Sequence, residues 1–196
     1  MDKPRIDILI EGFADEAKLA DHGTARYRPN IVLVRTEGAV IVVDPGTVEQ
    51  QNEIVDALAK CNVAVADVTH VVQTHHHIDH NRNAGMFPNI PFISALESWN
   101  GIDYTTTMPT MPEGIRIEKT PGHTYDSLTI FVDTEEGVVA ICGDLMWYEG
   151  DTRSEKDAED IDTLKQSREH VLAKADFVIP GHGPQFSIKK TYGTAS

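Results

Sequence analysis

A dense polar cluster that directly follows an apolar segment constrains this sequence more than any other feature. Residues 68–74 are largely β-branched and apolar, which predicts a buried strand, and residues 75–80 then read HHHIDH. In an extended segment His75, His77 and Asp79 would point to one side, and the last histidine of the run would open the next helix. Imidazole and carboxylate groups crowded at a strand end are typical of a metal site.

Three further candidate ligands occur later in the chain, and each has a glycine immediately before it. They are His123 in PGHT, Asp144 in CGD and His182 in PGHGP. Glycine allows a close backbone approach that a Cβ would block, which suits a crowded metal centre. A lone histidine at a strand end is usually a packed or solvent-facing residue, but a clustered motif followed by this ordered series predicts metal binding.

The number of candidate ligands indicates two metal ions rather than one. A single tetrahedral ion needs about four donors, whereas two ions can share a carboxylate and a water. Because the set contains no thiolate, zinc is the expected metal, with manganese or iron as alternatives. The candidate metal ligands are His75, His77, Asp79, His80, His123, Asp144 and His182.

Strand and helix signals predict two packed sheets with helices outside them, which is an α+β fold. A Glu37-Gly38 pair between two apolar runs marks a hairpin. The alternating strand and helix pattern of a doubly wound sheet is weak. Strands are expected at residues 6–10, 30–36, 39–43, 68–74, 91–94, 115–119, 128–133, 138–142 and 177–179, and helices at 49–61 and 157–174.

Length and composition limit the function classes. A chain of 196 residues has room for one ordinary domain, and we expect a single domain over residues 1–196. With 31 acidic against 17 basic residues the formal net charge is −14, which gives no general attraction to nucleic acid or anionic lipid. Cys61 and Cys142 are too few for a disulfide scaffold. Since neither a run of about 18 apolar residues nor a signal peptide occurs, we expect a cytoplasmic protein.

The motif series resembles that of the metallo-β-lactamase superfamily. The HHHIDH run and the three glycine-preceded ligands match its motif set over most of the chain, and the Asp44-Pro45-Gly46 turn resembles its early Asp-x-Gly motif. The resemblance implies an αββα four-layer sandwich with the metals at one edge, between the sheets. It also implies that one metal is held by His75, His77 and His123 and the other by Asp79, His80 and His182, with Asp144 bridging and Asp44 orienting a ligand imidazole from behind.

The chain also resembles a narrower group, the relatives of metallo-β-lactamase domain-containing protein 1. The likeness rests on the short spacing between motifs, on the acidic stretch after Gly143-Asp144, and on residues 167–172 and 175–184. This group looks like a set of compact, often dimeric hydrolases for which RNA cleavage is proposed. The resemblance therefore implies that a homodimer and a phosphodiesterase or endoribonuclease activity have to be considered.

The predicted site favours a hydrolase that uses a metal-activated hydroxide, because two metals lower the pKa of a shared water to about 7. Asp79 is the catalytic candidate, placed to orient the hydroxide or to move its proton. The preferred substrate is a small acyl compound such as a lactone, a thioester or a β-lactam-like amide, since the chain is acidic and has no basic arm. A phosphodiester or RNA is the alternative. A binding or redox protein with structural metals is disfavoured, because structural zinc sites are closed four-ligand cages.

The remaining candidates are interpreted as packing or surface residues. His76 is the variable position of the HHHIDH run and should point away from the metals, and Cys142 should be a small buried hydrophobe. His22, His70 and His170 are expected to be exposed. Other side chains could cover an acyl chain or stack on a base, although ordinary packing explains them equally well: Trp99, Tyr104, Met108, Met111, Trp147 and Tyr148.

Overall fold

A computed structural model describes residues 2–17, 23–94 and 97–188 of the chain. In these ranges the helices are α1 (Asn52–Lys60), α2 (Ile78–Asn81) and α3 (Ile161–Lys174), with 3₁₀ turns at Val65–Asp67, Ala84–Met86 and Gly143–Leu145. The strands are β1 (Arg5–Ile10), β2 (Phe13–Asp15), β3 (Arg26–Arg28), β4 (Ile31–Arg35), β5 (Val40–Val43), β6 (His70–Val72), β7 (Pro91–Ile93), β8 (Ser98–Asn100), β9 (Asp103–Thr105), β10 (Ile115–Lys119), β11 (Leu128–Thr134), β12 (Gly137–Ile141), β13 (Phe177–Ile179) and β14 (Phe186–Ser187).

The described strands form two large sheets and one small one. A seven-stranded sheet has the order β1-β4-β5-β6-β7-β8-β9, and a five-stranded sheet has the order β10-β11-β12-β13-β14. The parallel pairs are β5 with β6, β6 with β7, and β12 with β13. The predicted hairpin at Glu37-Gly38 is confirmed, because β4 and β5 pair antiparallel on either side of it.

The alternating side chains of β4 contribute to two core layers at once. Val32 and Val34 pack in the cluster between the two sheets, whereas Ile31 and Leu33 pack on the outer face, where α1 adds Leu58. Successive residues of a strand point to opposite faces, so a fully apolar run is what a strand buried on both sides requires.

The second sheet is covered on its outer face by α3, so the molecule has the predicted αββα order of layers. Leu164 and Val171 of α3 pack against Phe131 and Ala140. The predicted α+β sandwich is confirmed. No helix within the described ranges combines the length and the apolarity needed to cross a membrane.

Several predicted elements are shorter in the structure, among them the strand predicted at 68–74, which is β6 (His70–Val72), and some observed strands were not predicted. Helix α3 begins at Ile161 rather than at residue 157, because the Asp160 side chain caps it by accepting hydrogen bonds from the backbone N–H groups of Asp162 and Thr163. The β8–β9 hairpin was not predicted, since its strands are only three residues long and largely exposed, which leaves no apolar alternation to detect.

The parallel strands bring the candidate site to one edge of the sandwich. Strands β5 and β6 end together and lead into Asp44 and Thr74, while β12 and β13 end together and lead toward Asp144 and His182. The carboxyl ends of parallel strands meet at the same edge of a sheet. The two sheets are joined there by a hydrogen bond of 2.9 Å that Leu128 N donates to Thr74 O.

Candidate metal centre

The chain bends after β6 instead of staying extended. Bends at residues 74–76 are followed by His77 and then by α2, where His80 N donates to His77 O at 3.1 Å. The expectation of one extended segment from His75 to Asp79 is therefore wrong, and so is the expectation that His80 opens the helix, since α2 begins at Ile78. In a helical turn the two-residue alternation of a strand no longer applies, so Asp79 leaves the side on which His75 and His77 lie.

The first ligand group consists of His75, His77, His123 and Asp144. His77 Nδ1 lies 3.0 Å from His75 Nε2 and 3.1 Å from His123 Nε2. Asp144 Oδ2 lies 3.6 Å from His123 Nε2 and 4.0 Å from His75 Nε2. All four donor atoms lie within 4.8 Å of one another, which is the spacing expected of ligands around one ion.

The second ligand group consists of Asp79, His80 and His182. Asp79 Oδ2 lies 3.8 Å from His80 Nε2 and 3.7 Å from His182 Nε2. Asp144 also faces this group, because its Oδ1 lies 3.1 Å from His80 Nε2 and 3.2 Å from His182 Nε2. The Asp144 carboxylate thus stands between the two groups. The fold therefore brings together all seven candidate ligands.

The donor set is compatible with a divalent cation. His80 Nε2 and Asp144 Oδ1 are both buried, and although they lie 3.1 Å apart, neither makes a contact with hydrogen-bond geometry among the described residues. Buried polar atoms are normally paired, so atoms left in this state call for another partner. A cation would satisfy both, and a mixed imidazole and carboxylate set suits a divalent metal.

Asp44 orients one imidazole of each ligand group through its Nδ1 atom, directly for His80 and through Thr74 for His75. Its Oδ1 accepts from Thr74 N at 2.7 Å, and its Oδ2 accepts from the Thr74 hydroxyl at 2.6 Å and from His80 Nδ1 at 2.8 Å. Thr74 Oγ1 lies 3.1 Å from His75 Nδ1, and since its proton goes to Asp44, it accepts from that ring. His75 and His80 therefore both keep Nε2 free for a ligand role. Asp44 has a φ of 49°, a conformation that few non-glycine residues adopt.

The glycine before each later ligand has a different role at each position. A Cβ on Gly143 would lie 2.3 Å from Thr74 Oγ1, so close approach at the metal centre explains this residue. A Cβ on Gly122 would instead lie 2.2 Å from Leu164 N. The crowding before His123 therefore comes from α3 rather than from the ligands, and the expectation of a crowded metal centre is wrong for this glycine.

Burial and charge act against each other within the centre. Burial holds the pKa of His75 well below its ordinary value. Burial also disfavours a charged His80, but the carboxylates of Asp144 and Asp44 outweigh it and hold the pKa of His80 well above its ordinary value. Burial would raise the pKa of Asp144, yet His182 and His80 outweigh it and hold that pKa well below the usual range. The environment therefore favours positive charge between these groups.

The loop that carries His182 is held by a segment that sequence reasoning missed. The buried Asn30 side chain donates to Pro180 O and to Gly183 O, both at 2.7 Å, and Asn30 N donates to Gly181 O at 2.7 Å. His182 Nδ1 donates to Arg28 O at 2.9 Å, which turns Nε2 toward the Asp144 carboxylate, 3.3 Å from its Oδ2. The only sequence signal was a polar residue directly before the apolar run of residues 31–34.

The other interpreted residues lie mostly where the sequence placed them. Cys142 is buried, and burial raises the pKa of its thiol to about 12. His76 is half-exposed and bonds to Asp126 rather than facing a ligand. His22 lies outside the described residues. Trp99 and Tyr104 stack on the exposed β8–β9 hairpin, Met108 and Met111 pack against the core between the sheets, and Trp147 is buried against Tyr27 and His182.

Known proteins share both the sequence and the fold. A sequence model of the metallo-β-lactamase superfamily matches residues 25–107. Metallo-β-lactamase domain-containing protein 1 of Xenopus laevis is 32% identical, over 94% of this chain and 82% of that protein.

Two solved structures show the same fold at low identity. A Thermotoga maritima structure of metallo-β-lactamase type has a TM-score of 0.75 at 18% identity, covering 94% of this chain and 99% of the other. A quorum-quenching N-acyl homoserine lactone lactonase has a TM-score of 0.65 at 20% identity, covering 93% and 91%. Since the sequence relative spans nearly the whole chain, the family is established: this chain belongs to the metallo-β-lactamase superfamily and is a metal-dependent hydrolase.

Proposed function

We propose that residues 1–196 form one domain that works as a dinuclear hydrolase on small acyl substrates. The observation that carries this proposal is the position of Asp144. Its Oδ1 lies 3.1 Å from His80 Nε2 and 3.2 Å from His182 Nε2. Its Oδ2 lies 3.3 Å from His182 Nε2, 3.6 Å from His123 Nε2 and 4.0 Å from His75 Nε2, so the carboxylate contacts both ligand groups. A carboxylate shared in this way is the usual bridge between two catalytic ions.

The ligand roles follow from the two groups. His75, His77 and His123 would hold one ion and Asp79, His80 and His182 the other, with Asp144 between them. Zinc suits a set of imidazole and carboxylate donors, and manganese or iron would also be accepted. Such a pair of ions supplies a Lewis acid for the scissile carbonyl and makes water a nucleophile near neutral pH.

The side chains of this chain would contribute position and proton transfer. Asp79 and His77 are only partly buried, whereas His75, His80, His123 and His182 are buried, so the centre opens on the side of Asp79. We assign the Asp79 carboxylate the task of orienting the attacking water and of accepting its proton. Asp44 keeps the His75 and His80 rings in the tautomer that the site needs.

Exposed apolar side chains near the ligands support an acyl substrate. Ile78, between His77 and Asp79, is 69% exposed, and Tyr125, two residues after His123, is 65% exposed. Exposed apolar groups beside a polar centre favour a substrate that combines a reactive carbonyl with an apolar part. The net charge of −14 gives no general attraction to a polyanion.

The metal content tests the dinuclear arrangement. Elemental analysis of the full chain purified without chelator should approach two equivalents of zinc, manganese or iron. Asp144→Ala should lower the content of both sites, whereas His170→Ala, remote from the centre, should leave it unchanged. A wild-type protein that saturates at one equivalent would contradict the proposal.

A hydrolysis screen tests the substrate class. We would compare kcat/KM for lactones, thioesters, β-lactams, a phosphodiester and single-stranded RNA at low and physiological salt. We expect acyl hydrolysis with little salt dependence, and a loss of about 100-fold or more in Asp79→Ala. If RNA or the phosphodiester were cleaved and every acyl compound left intact, with the cleavage lost in Asp79→Ala, the site would be a phosphodiesterase and the acyl proposal wrong.

A further inference from the structure

The variable residue of the HHHIDH run makes a specific contact with a distant loop. His76 Nδ1 lies 2.8 Å from Asp126 Oδ1, across 50 residues of chain. The Asp126 side chain is only 10% exposed, whereas that of His76 is 48% exposed. The Tyr125 ring packs on the imidazole, with centroids 5.7 Å apart at an interplanar angle of 33°.

This contact joins the two loops that carry the three histidines of the first ligand group. His76 lies between His75 and His77, and Asp126 follows His123 by three residues. The same two loops are also joined where Leu128 N donates to Thr74 O at 2.9 Å. Since both ties flank the three imidazoles, they set the separation of the loops on which the imidazoles stand.

We propose that His76 and Asp126 are positioning residues that hold His77 and His123 at ligand spacing. The ring nitrogens His77 Nδ1 and His123 Nε2 lie 3.1 Å apart. Loops that are ordered in advance do not lose conformational freedom when the ion binds, so a tie of this kind raises metal affinity without touching the ion. The inference rests on the proposed metal-binding role of the three histidines.

The chemistry of the pair defines a conservative variant. A carboxylate can only accept, so His76 Nδ1–H is the donor and Asp126 Oδ1 the acceptor. Asp126→Asn keeps an acceptor oxygen in the same place and removes the charge. Asp126→Ala and His76→Ala each remove the tie. A control exists in His170 and Glu118, whose Nε2 and Oε2 atoms lie 2.7 Å apart. Glu118 also pairs with Lys174, and among the described residues neither member of the control pair contacts a candidate ligand.

The test is a cobalt(II) titration of the metal-free full chain, followed by the visible absorption of the bound ion. His76→Ala, Asp126→Ala and the double variant would form a double-mutant cycle. We expect each single variant to bind the first cobalt equivalent about 10–100-fold more weakly, as partners behind metal ligands usually do. The double variant should bind cobalt no more weakly than the weaker-binding single variant. Asp126→Asn should recover most of the wild-type affinity. The control variants His170→Ala and Glu118→Ala should bind cobalt as tightly as the wild type.

The outcomes separate this inference from the proposed function. Wild-type protein that takes up no cobalt would overturn both. Wild-type protein that binds cobalt no more tightly than His76→Ala would overturn the positioning role alone. Changes in cobalt binding free energy that add in the double variant would do the same. His76→Ala and Asp126→Asn keep the test decisive should Asp126→Ala not fold, and circular dichroism of each metal-free variant shows whether it has folded.

Discussion

The backbone at Gly181 passes so close to the Asp144 carboxylate that no other residue fits there. A Cβ built on Gly181 would lie 2.0 Å from Asp144 Oδ1. The same segment is anchored because Gly181 N donates to Met146 O at 2.9 Å and Gly181 O accepts from Asn30 N at 2.7 Å. The loop is therefore unable to move away from Asp144. The carboxylate that faces both ligand groups can keep its position only because residue 181 is a glycine, which has no Cβ.

We expect Gly181→Ala to displace Asp144 and to lower the bound metal to one equivalent or less. Overpacking of this kind costs about 1–3 kcal/mol of stability. Gly85→Ala is the control, because Gly85 is exposed and nothing lies within 4 Å of a Cβ there. Elemental analysis and urea unfolding of both variants check this, and a Gly181→Ala protein with full metal content would refute it.

Asn30→Asp should loosen the loop that carries His182. The variant keeps the acceptor that Gly12 N uses at 2.8 Å but loses both amide donors to Pro180 O and Gly183 O. Two unpaired buried carbonyls and a buried charge should cost about 2–4 kcal/mol. Cobalt affinity should fall for the second equivalent more than for the first, with the exposed Asn100→Asp as control. Equal losses at both equivalents would argue against a local effect.

Glu16→Gln should reveal a stability term that depends on pH. A hydrogen bond from Arg153 is the main cause that holds the pKa of Glu16 below its ordinary value of 4.5, and one from Tyr27 adds to it. Because the folded pKa is the lower one, the stabilisation is complete above the unfolded value and disappears as the pH falls through the folded value.

Urea unfolding of the metal-free proteins at pH 7 and at pH 3 measures this term. Wild type should exceed Glu16→Gln in stability at pH 7, and the difference should shrink at pH 3. The exposed Glu135→Gln should show no such trend. A difference that stayed constant between the two pH values would mean that the carboxylate charge contributes nothing.

The two thiols should differ in reactivity. Burial raises the pKa of both thiols, that of Cys142 to about 12. Cys142 is buried, whereas Cys61 is partly exposed and within reach of a reagent. The thiolate is the reactive species, so a disulfide reagent at pH 8 should modify Cys61 in the folded protein and Cys142 only after unfolding. Cys61→Ser should then show no accessible thiol until denaturant is added. Modification of folded Cys61→Ser would show that the Cys142 environment opens.

The sequence predicted the residue types of the candidate site, and it also predicted the layers of the fold. The HHHIDH run and the three glycine-preceded residues identified the seven side chains of the two ligand groups, because metal chemistry demands particular donors wherever the chain places them. The apolar run of β4 and the helical spacing of Ile54 and Leu58 predicted the sandwich, because burial on one face or two leaves a periodic pattern.

The family resemblance implied how these donors divide, but only the tertiary structure shows what holds them in place. Asp79 joins His80 rather than His75 because a short helix follows the bend, and local sequence carries no strong signal for a single turn. Asn30 and Asp126 are ordinary polar residues in the sequence. They acquire their roles from partners 150 and 50 residues away along the chain. Contacts of that kind form only when the two sheets pack together, so no local sequence pattern predicts them.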